Sequence, residues 1–381
     1  MRIFRVGGAV RDALLGLPVQ DIDYVVVGST PQQMIALGYT PVGKDFPVFL
    51  HPVTHAEYAL ARTERKSAPG YHGFVFYCSP DVTLEQDLQR RDLTINAMAL
   101  PDLPNVTNAD IIDPFNGQRD LAARIFRHVS AAFSEDPVRI LRVARFAARF
   151  NEFTIAPETL ELMCNMVQAG EVDALVPERV WQELSRGLME AVPSRMLQVL
   201  HECGALARIM PEMIWSPAAA QQRSQTVDFA AAQKVTLAVR WAVLSAECDE
   251  SICRTLCARM KVPVEARDIA LLTCREHRHI YGVLTHSPEA IVSLLERCDA
   301  FRRAERFAEI LRAVQCRYLL PADFIQQSLL DQSLAAALSI PARHIALETA
   351  QRYPNQPQQI AAQIFRARVN AVGQLSHFHR S

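Results

Sequence analysis

The spacing of apolar residues changes near Ser134 and divides the chain into two kinds of structure. Before it, short β-branched or aromatic runs, such as residues 3–6 and 21–27, alternate with short helical patterns. From Asp136 onward helical periodicity dominates, and its first apolar stripe is Val138, Leu141, Val143, Phe146 and Phe150. We therefore predict an α+β fold, in which a head with a mixed sheet and helices precedes an all-α remainder.

The same pattern gives approximate boundaries. We expect a head at residues 1–130, a helical neck at 131–210 and a helical body or tail at 211–381. Strands are predicted near residues 3–6, 21–27, 46–50 and 57–62, and helices near 9–15, 31–37 and 84–99. Residues 62–71 read as a flexible loop, 111–115 as a strand or extended turn, and 221–224 as a linker. The prolines that separate helical stretches are Pro177, Pro211, Pro263, Pro321 and Pro341.

Composition excludes several classes of protein. With 381 residues, 50% of them hydrophobic, the chain is long and apolar enough for a globular core in two or three domains. A formal net charge of -1 argues against nucleic-acid binding by bulk charge, although a local basic groove stays possible. No signal peptide and no membrane-spanning apolar run is visible, so we expect a cytoplasmic protein without membrane contact.

Cysteine and histidine give no sign of a metal centre. The nine cysteines are scattered and include no Cys-x-x-Cys pair, which indicates reduced thiols. The group of His277, His279 and His286 lacks carboxylates at useful spacing. We therefore predict that these histidines are solvated.

Two aspartates stand at the entrance of the predicted strand at residues 21–27, in the sequence Gln-Asp-Ile-Asp-Tyr-Val-Val-Val. If the strand includes Asp21, then Asp21 and Asp23 share one face, because side chains alternate along a strand. Two carboxylates held so closely disfavour each other's charge unless a cation lies between them. The alternative is an ordinary turn, since Asp-x-Asp often begins a strand as loop chemistry.

A glycine pair precedes these aspartates. Gly7 and Gly8 separate the first strand from a helix that carries Arg11 one turn later. Glycines allow the close approach of backbone N–H groups to a phosphate, which an arginine can also bind. Alone, such a turn is often a tight connection, but a phosphate cradle beside two carboxylates has the layout of metal-dependent phosphoryl transfer.

Two further groups of charges fall on predicted helices. Arg90 and Arg91 would ordinarily belong to a solvated face. Asp136, Arg139 and Arg142 follow at intervals of three, which predicts one helical face. These three residues can form intrahelical salt bridges, or they can present donors and acceptors to the edge of a nucleobase.

Taken in order, the motifs resemble those of the class II tRNA nucleotidyltransferases, the bacterial CCA-adding enzymes, and their relatives the bacterial poly(A) polymerases. The resemblance runs from residue 1 to about residue 210. The matching motifs are Gly7-Gly8-Ala9-Val10-Arg11-Asp12, Asp21-Ile22-Asp23, Arg90-Arg91-Asp92-Leu93-Thr94-Ile95-Asn96-Ala97, Asp113-Pro114-Phe115-Asn116-Gly117, Glu135-Asp136-Pro137-Val138-Arg139 and Glu178-Arg179-Val180-Trp181-Gln182-Glu183-Leu184.

The resemblance implies roles for individual residues. It implies a head of the polymerase-beta-like nucleotidyltransferase type in which Asp21 and Asp23 hold catalytic Mg²⁺. A third carboxylate is expected on a neighbouring strand, for which Glu57 is the candidate. The residues expected to bind the nucleotide are Gly8, Arg11, Arg91, Asp136, Arg139 and Arg142, of which Asp136 and Arg139 read the base and Arg142 supports them.

The implied reaction is addition of CCA to the 3′ end of tRNA from CTP and ATP, without a nucleic-acid template. The RNA 3′-hydroxyl attacks the α-phosphorus and pyrophosphate leaves. The helical part is expected to hold the acceptor arm, with Arg302, Arg303, Arg306 and Arg312 as candidates that a solvated helix face explains equally well, and no protein partner is evident. The alternatives are a poly(A) polymerase, a partial CC- or A-adding enzyme, and a catalytically silent RNA-binding protein.

The chain departs from some relatives in one respect. Those relatives carry a C-terminal metal-dependent phosphohydrolase domain with a His-Asp motif, whereas no histidine here is followed by aspartate. We therefore expect no phosphatase or phosphodiesterase activity and no nickel site.

Overall fold

A computed structural model describes residues 1–42, 48–66 and 74–379. The chain divides into two compact units. The first unit contains residues 1–184 and 195–211, and the second contains residues 185–194 and 212–381.

The strands all lie in the first unit. In chain order they are β1 (Arg2–Val6), β2 (Asp23–Val27), β3 (Thr40–Val42), β4 (Val48–Leu50), β5 (Glu57–Leu60), β6 (Thr63–Lys66), β7 (Phe74–Tyr77), β8 (Ala99–Pro101), β9 (Ile125–Phe126) and β10 (Thr154–Ile155). Six of them form one sheet in the order β3-β4-β5-β2-β1-β8, in which β2 and β5 run parallel and the other pairs antiparallel. β6 pairs with β7, and β9 pairs with β10.

Helices lie between these strands in the chain and after them. The first nine are α1 (Gly8–Leu14), α2 (Pro31–Ala36), α3 (Leu84–Gln89), α4 (Gly117–Ala123), α5 (Val138–Arg149), α6 (Pro157–Gln168), α7 (Pro177–Leu188), α8 (Pro193–Glu202) and α9 (Ala205–Ile209). A short 3-10 helix, Thr94–Asn96, separates α3 from β8. The predicted stripe on α5 is buried along its whole length, as expected from its 3.6-residue period.

The six-stranded sheet is apolar on both faces, so both need a cover. Val25 and Val27 of β2 belong to one cluster, which includes Leu84 and Leu88 of α3. Val26, between them, points to the opposite face and packs with Met34 of α2. This alternation is the strand period of two, and it leaves the polar residues at the start of β2 for the rim of the sheet.

The second unit is entirely helical in the described residues. Its remaining helices are α10 (Pro217–Ala232), α11 (Leu237–Ser245), α12 (Glu250–Arg259), α13 (Val264–Tyr281), α14 (Pro288–Arg297), α15 (Ala304–Arg317), α16 (Ile325–Leu338), α17 (Ala342–Arg352) and α18 (Pro357–Gly373). α11 is nearly all buried because α10, α13 and α15 surround it, and Trp241 at its centre is fully enclosed. The five punctuating prolines lie at helix starts or between helices, as predicted. Among the described residues, no helix has both the length and the apolarity needed to cross a bilayer.

The predicted fold class is confirmed, but several predicted elements are wrong. α3 ends at Gln89 instead of near residue 99, because the backbone then pairs elsewhere: Thr94 N–H donates to the carbonyl of Arg127 at 2.9 Å. The linker predicted at residues 221–224 lies inside α10. The loop predicted at 62–71 contains strand β6, while its residues 67–71 lie outside the described part of the chain.

Smaller differences concern the edges of the sheet. Strand β3 was not predicted, since three residues containing a proline give little strand signal. Residues 111–115 form a turn in which Ile112 makes an isolated bridge to Ala99. β2 begins at Asp23, so Asp21 precedes the strand.

Candidate active site

The two aspartates and the glycine turn lie at one end of the sheet. β1 and β2 are antiparallel and their register pairs Val6 with Asp23, so the end of β1 meets the start of β2. Gly7 and Gly8 continue directly from Val6, and both aspartates are exposed. Because Asp21 lies outside the strand, the condition for placing the two carboxylates on one face by strand alternation is not met. Asp23 stands at the rim beside the glycine turn, and Asp21 precedes it by two residues in the chain.

Glu57 comes to the same rim on the neighbouring strand. The parallel register of β2 and β5 pairs Tyr24 with Tyr58, and their rings stack 4.3 Å apart. One residue earlier on each strand, Asp23 and Glu57 therefore start their strands side by side, on the face opposite the two tyrosines. Glu57 is exposed like Asp23. This placement supports Glu57 as the third carboxylate.

The carboxylates fit a hard cation that takes only part of its ligands from protein. Within the described ranges, no three His, Cys, Asp or Glu side chains converge as a ready metal site. Mg²⁺ is commonly bound by one or two carboxylates, with substrate phosphates and water as its other ligands. The exposed carboxylates beside the glycine turn match that requirement, whereas zinc and nickel centres are usually built on nitrogen or sulfur ligands.

Two features of this turn each require glycine at position 7. Its φ of +67° lies in the left-handed region, and a Cβ here would stand 2.9 Å from Nη1 of Arg91. The close contact shows that the guanidinium of Arg91 lies directly against the turn. Arg91 is therefore not a solvated helix-face residue; it belongs to the same end of the sheet as Asp23.

A buried carboxylate, Asp87, holds Arg91 there. Asp87 is fully buried and accepts from Nη2 of Arg91 at 3.2 Å and from Nη2 of Arg90 at 2.8 Å. Its Oδ1 also accepts from the backbone N–H of Arg62 at 3.3 Å. Burial would raise the pKa of Asp87, but the two guanidiniums outweigh it and lower that pKa. Sequence reasoning missed this residue, although an acid three and four positions before two arginines was a usable signal.

Arg11 occupies an unexpected position. Its side chain is only 3% exposed and pairs with Asp12, whose Oδ1 accepts from Nε at 2.8 Å. The guanidinium also contacts the rings of Phe146 on α5 and of Phe150 directly after it, at 5.1 and 5.0 Å from their centroids. The structure thus places Arg11 between α1 and α5, and its predicted contact with a triphosphate stays a prediction.

The Asp136 group does not form the predicted helical face. α5 begins at Val138, so Asp136 precedes it, and its Oδ1 accepts from the N–H of Val138 at 3.1 Å. Arg139 is buried and donates to the carbonyl of Ala132 at 2.8 Å. Arg142 pairs with Asp92, 2.8 Å from Nε to Oδ2. The three residues thus contact partners in other segments, and an intrahelical salt bridge does not describe them.

Helix α7 holds two charged side chains of this region, Asp136 and Arg145, through ion pairs. Both terminal nitrogens of Arg179 donate to the Asp136 carboxylate, at 3.3 and 2.8 Å. One turn later Glu183 accepts from Nε of Arg145 at 2.6 Å in a largely buried pair. In the sequence, the Glu-Arg-x-x-x-Glu motif of α7 contributed only to the family resemblance. In the structure, its arginine and its second glutamate join α7 to the two ends of the segment from Asp136 to Arg145.

In the second unit the histidine prediction was partly wrong. His277 is buried, and its Nδ1 lies 2.9 Å from the hydroxyl of Tyr318. Burial lowers the pKa of His277 to about 4, so this imidazole is neutral at physiological pH. His279 is exposed, as predicted. His277 is a satisfied core residue, which apolar neighbours at helical spacing could have indicated.

The arginines proposed for tRNA contact are mostly exposed. Arg302 and Arg303 are 82% and 61% exposed, and both lie near Asp299, at 2.6 and 3.8 Å. Arg306 is more enclosed and shares the same carboxylate at 3.2 Å. Arg312 lies 3.8 Å from Glu309. Each of the four thus faces an acidic residue.

Comparison with known proteins adds independent findings. Residues 3–127 match the family described as the poly A polymerase head domain, and residues 152–215 match the probable RNA- and SrmB-binding site of polymerase A. The Multifunctional CCA protein of Janthinobacterium sp. (strain Marseille) is 53% identical over 408 aligned residues, which cover 98% of this chain and 97% of that protein.

Solved structures agree with the fold. A complex of a CCA-adding enzyme with ATP is 21% identical, with a TM-score of 0.66 over 97% of this chain and 86% of that one. The Thermotoga maritima CCA-adding enzyme complexed with tRNA is 19% identical, with a TM-score of 0.62 over 96% of this chain and 91% of that one. At these identities the likeness concerns the fold.

Proposed function

The chain belongs to the family of the multifunctional CCA proteins, and from that premise we propose that it completes the 3′ end of tRNA by adding CCA from CTP and ATP. In each addition the RNA 3′-hydroxyl oxygen forms a bond to the α-phosphorus. The bond from that phosphorus to the β-phosphate oxygen breaks, and pyrophosphate leaves with its electron pair. The enzyme is a nucleotidyltransferase.

One observation carries the assignment of the active site. The Val6–Asp23 pairing brings the glycine turn and the carboxylates to one rim, and the close contact at Gly7 brings Arg91 there as well. A glycine turn, acidic oxygens and a guanidinium at one end of the sheet support this assignment, because phosphoryl transfer uses these groups.

Asp21 and Asp23 are proposed to hold Mg²⁺, with Glu57 as a third candidate. When bound, the cation would activate the attacking hydroxyl and neutralise charge on the transferring phosphate. The residues of this chain position the reactants. Gly8 and Arg91 are proposed to bind the nucleotide phosphates near the turn, and Arg11 is proposed to support them from behind it.

Base selection is proposed to use Asp136 and Arg139. The Asp136 carboxylate offers acceptors and Arg139 offers donors, a combination that fits the amino group and ring nitrogen of cytosine or adenine. Uracil and guanine present a carbonyl where the amino group is needed, so a buried polar group would stay unpaired. Arg179 still leaves acceptor capacity on Asp136, since each carboxylate oxygen has two lone pairs.

The product ladder from tRNA lacking CCA tests the function. With CTP alone we expect two added nucleotides, and with CTP and ATP three. Repeated adenosines without CTP would instead support a poly(A) polymerase, which the description of the head-domain family keeps as the second candidate. A product that stops after two cytidines, or that requires them beforehand, would identify a partial enzyme.

A separate test addresses the carboxylates. Asp21→Ala and Asp23→Ala should abolish nucleotide addition while tRNA binding is kept, because the two carboxylates serve the reacting phosphate. Equal activity of either variant and wild type would refute the metal assignment, and lost tRNA binding would show a different defect. We further propose that the helical second unit binds tRNA and that the protein acts in the cytoplasm.

A further inference from the structure

A chain of polar contacts, buried at its centre and partly exposed at its two ends, links segments of the proposed active site. In order along it stand Arg149, Asp12, Arg11, Asn96, Asp92 and Arg142. Its members come from α1, from the segment after α3 and from α5, the three segments that carry the proposed nucleotide-binding residues. All six belong to the first unit.

Asn96 is the middle link of this chain. Its Oδ1 accepts from Nη1 of Arg11 at 2.6 Å, and its Nδ2 donates to Oδ1 of Asp92 at 3.0 Å. Asn96 is 5% exposed and Asp92 is 6% exposed, so water does not replace these contacts readily. Beyond Asp92, the other carboxylate oxygen accepts from Arg142 at 2.8 Å.

The chemistry at position 96 allows few alternatives. A guanidinium only donates, and an ionised carboxylate only accepts, so the bridging group needs one acceptor and one donor. A carboxamide of this length has both. This requirement also fixes the orientation of the amide, with oxygen toward Arg11 and nitrogen toward Asp92.

Charge neutralisation does not depend on Asn96. Arg11 keeps Asp12 as its counter-ion and Arg142 keeps Asp92, whether or not the amide stands between them. Arg149 donates to Asp12 at 2.8 Å and joins α1 to α5 a second time. The amide therefore adds geometry: it sets the distance between two guanidiniums that are already paired.

We propose that Asn96 is a positioning residue that couples Arg11 to Arg142 and so holds α1 and α5 at the spacing that an incoming nucleoside triphosphate needs. The proposal rests on the proposed function, because the nucleoside triphosphate in question is the CTP or ATP of the CCA addition proposed there. Asn96 lies only five residues after Arg91, in the 3-10 helix Thr94–Asn96, so the same short segment also carries the arginine beside Gly7.

The experiment is a double-mutant cycle on the full-length protein. KM and kcat for CTP and for ATP are measured with tRNA lacking the corresponding nucleotide. The variants are Arg11→Lys, Arg142→Lys and both together, each with Asn96 present and with Asn96→Leu. In the wild-type background the two lysine substitutions should act non-additively on KM, and in the Asn96→Leu background their effects should multiply independently.

The single substitution has its own expected result. Asn96→Leu should raise KM for both nucleotides about tenfold, as the loss of hydrogen bonds to charged groups predicts, with a smaller change in kcat. Asn96→Ser is the second variant, since its hydroxyl keeps a polar group in the gap and disturbs packing differently.

Thr94→Val is the matched control. Thr94 lies on the same 3-10 helix and is similarly buried, and its hydroxyl donates to Asp120 at 2.7 Å and so is no part of the link between the two arginines. It should lower the melting temperature without changing KM. Unchanged KM in both Asn96 variants, or a Thr94→Val effect on KM equal to theirs, would overturn the proposal.

Failure of the proposal is distinguishable from failure of the proposed function. If wild type adds no CCA, the proposed function fails before any variant is compared. If wild type adds CCA and the Arg11–Arg142 coupling persists without Asn96, only the positioning role fails. Loss of folding in both Asn96 variants would also overturn it, because Asn96 would then serve stability alone.

Discussion

Two glycines share a φ of +67° but differ in what surrounds them. A Cβ at Gly7 would meet Arg91 at 2.9 Å, whereas a Cβ at Gly16 would meet nothing within 4 Å. Both Gly7→Ala and Gly16→Ala should therefore cost about 1 kcal/mol of backbone strain. Only Gly7→Ala should also displace the guanidinium of Arg91 and raise KM for CTP. Steady-state kinetics and thermal unfolding of the two variants separate these effects, and equal KM values would argue against Arg91 as a nucleotide ligand.

The buried ion pairs of Asp87 should make the stability of the first unit depend on pH. Although burial acts in the opposite direction, Arg90 and Arg91 lower the pKa of Asp87 below its ordinary value of 3.8. A carboxylate with a depressed pKa in the folded state contributes stability above its unfolded pKa, and this contribution is lost as pH falls through the folded pKa. Asp87→Asn should therefore lower the melting temperature at pH 7, and the difference from wild type should shrink as pH falls below 3.8.

Thermal unfolding of wild type and Asp87→Asn, from pH 7 to below pH 3.8, checks whether the difference in melting temperature shrinks as the pH falls. Asp110→Asn is a useful comparison, because the pKa of Asp110 is also lowered by its hydrogen bonds to Thr107 although the side chain is exposed. We expect little change in melting temperature from it. A difference between wild type and Asp87→Asn that is independent of pH would mean that packing, and not the ion pairs, accounts for it.

At the scale of the elements, the sequence located the motifs better than their side-chain partners. Asp21 and Asp23 stand out by the apolar run after them and the glycine turn before them, and Asp136, Arg139 and Arg142 by their spacing, while their roles come from the resemblance of the motifs. Spacing could not reveal that Asp136 stands outside α5 or that Arg142 pairs with Asp92, fifty positions away. Such pairs depend on tertiary packing, and contacts between distant segments leave no regular spacing in a single sequence.

The same reason explains the error in α3. Residues 84–99 have a composition compatible with one helix, yet the chain leaves it after Gln89 to pair its backbone with the segment around Arg127. The resulting extended and 3-10 segment places Arg91, Asp92 and Asn96 at the site. A continuous helix would keep Asp92 and Asn96 on one face, as i and i+4 neighbours, but would turn Arg91 away from that face.

The attachment of α7 to α5 gives a prediction at this scale. Arg179 of α7 binds the carboxylate of Asp136, which precedes α5, and Glu183 of α7 binds Arg145 within α5. Arg179→Gln should raise KM for CTP and ATP about tenfold, because the freed carboxylate loses its fixed orientation and a charged hydrogen-bond partner. Arg145→Gln should mainly lower the melting temperature. Identical kinetics of the two variants would show that α7 supports the helix in general and not Asp136.

For the whole molecule, charge is distributed unevenly along the chain although the total is -1. From residue 340 to the end, Glu348 is the one acidic residue against arginines at positions 343, 352, 366, 368 and 380. Helices α17 and α18 in this region line an open polar pocket of about 410 Å³, whose lining includes Arg352, Tyr353 and Arg366 as well as Glu348. Neither Arg352 nor Arg366 forms an ion pair with the described carboxylates.

These arginines differ from those predicted for tRNA contact. Arg302 and Arg303 already lie near Asp299, so a phosphate would have to compete with that carboxylate. A local excess of positive charge beside an aromatic ring is the usual signature of a surface that follows an RNA backbone. Recognition of tRNA by the second unit is therefore expected to depend more on α17 and α18 than on the start of α15.

Paired substitutions test that expectation on the full-length protein. Arg352→Ala with Arg366→Ala should weaken tRNA binding and reduce the slope of its salt dependence by about one for each phosphate that an arginine no longer neutralises. KM for CTP should not change, because the nucleotide residues lie in the other unit. Arg302→Ala with Arg303→Ala removes the same charge from a surface where an acid is already present, so the salt dependence should change less. Binding isotherms at several salt concentrations compare the two pairs, and a larger effect at Arg302 and Arg303 would place the tRNA contact at α15 instead.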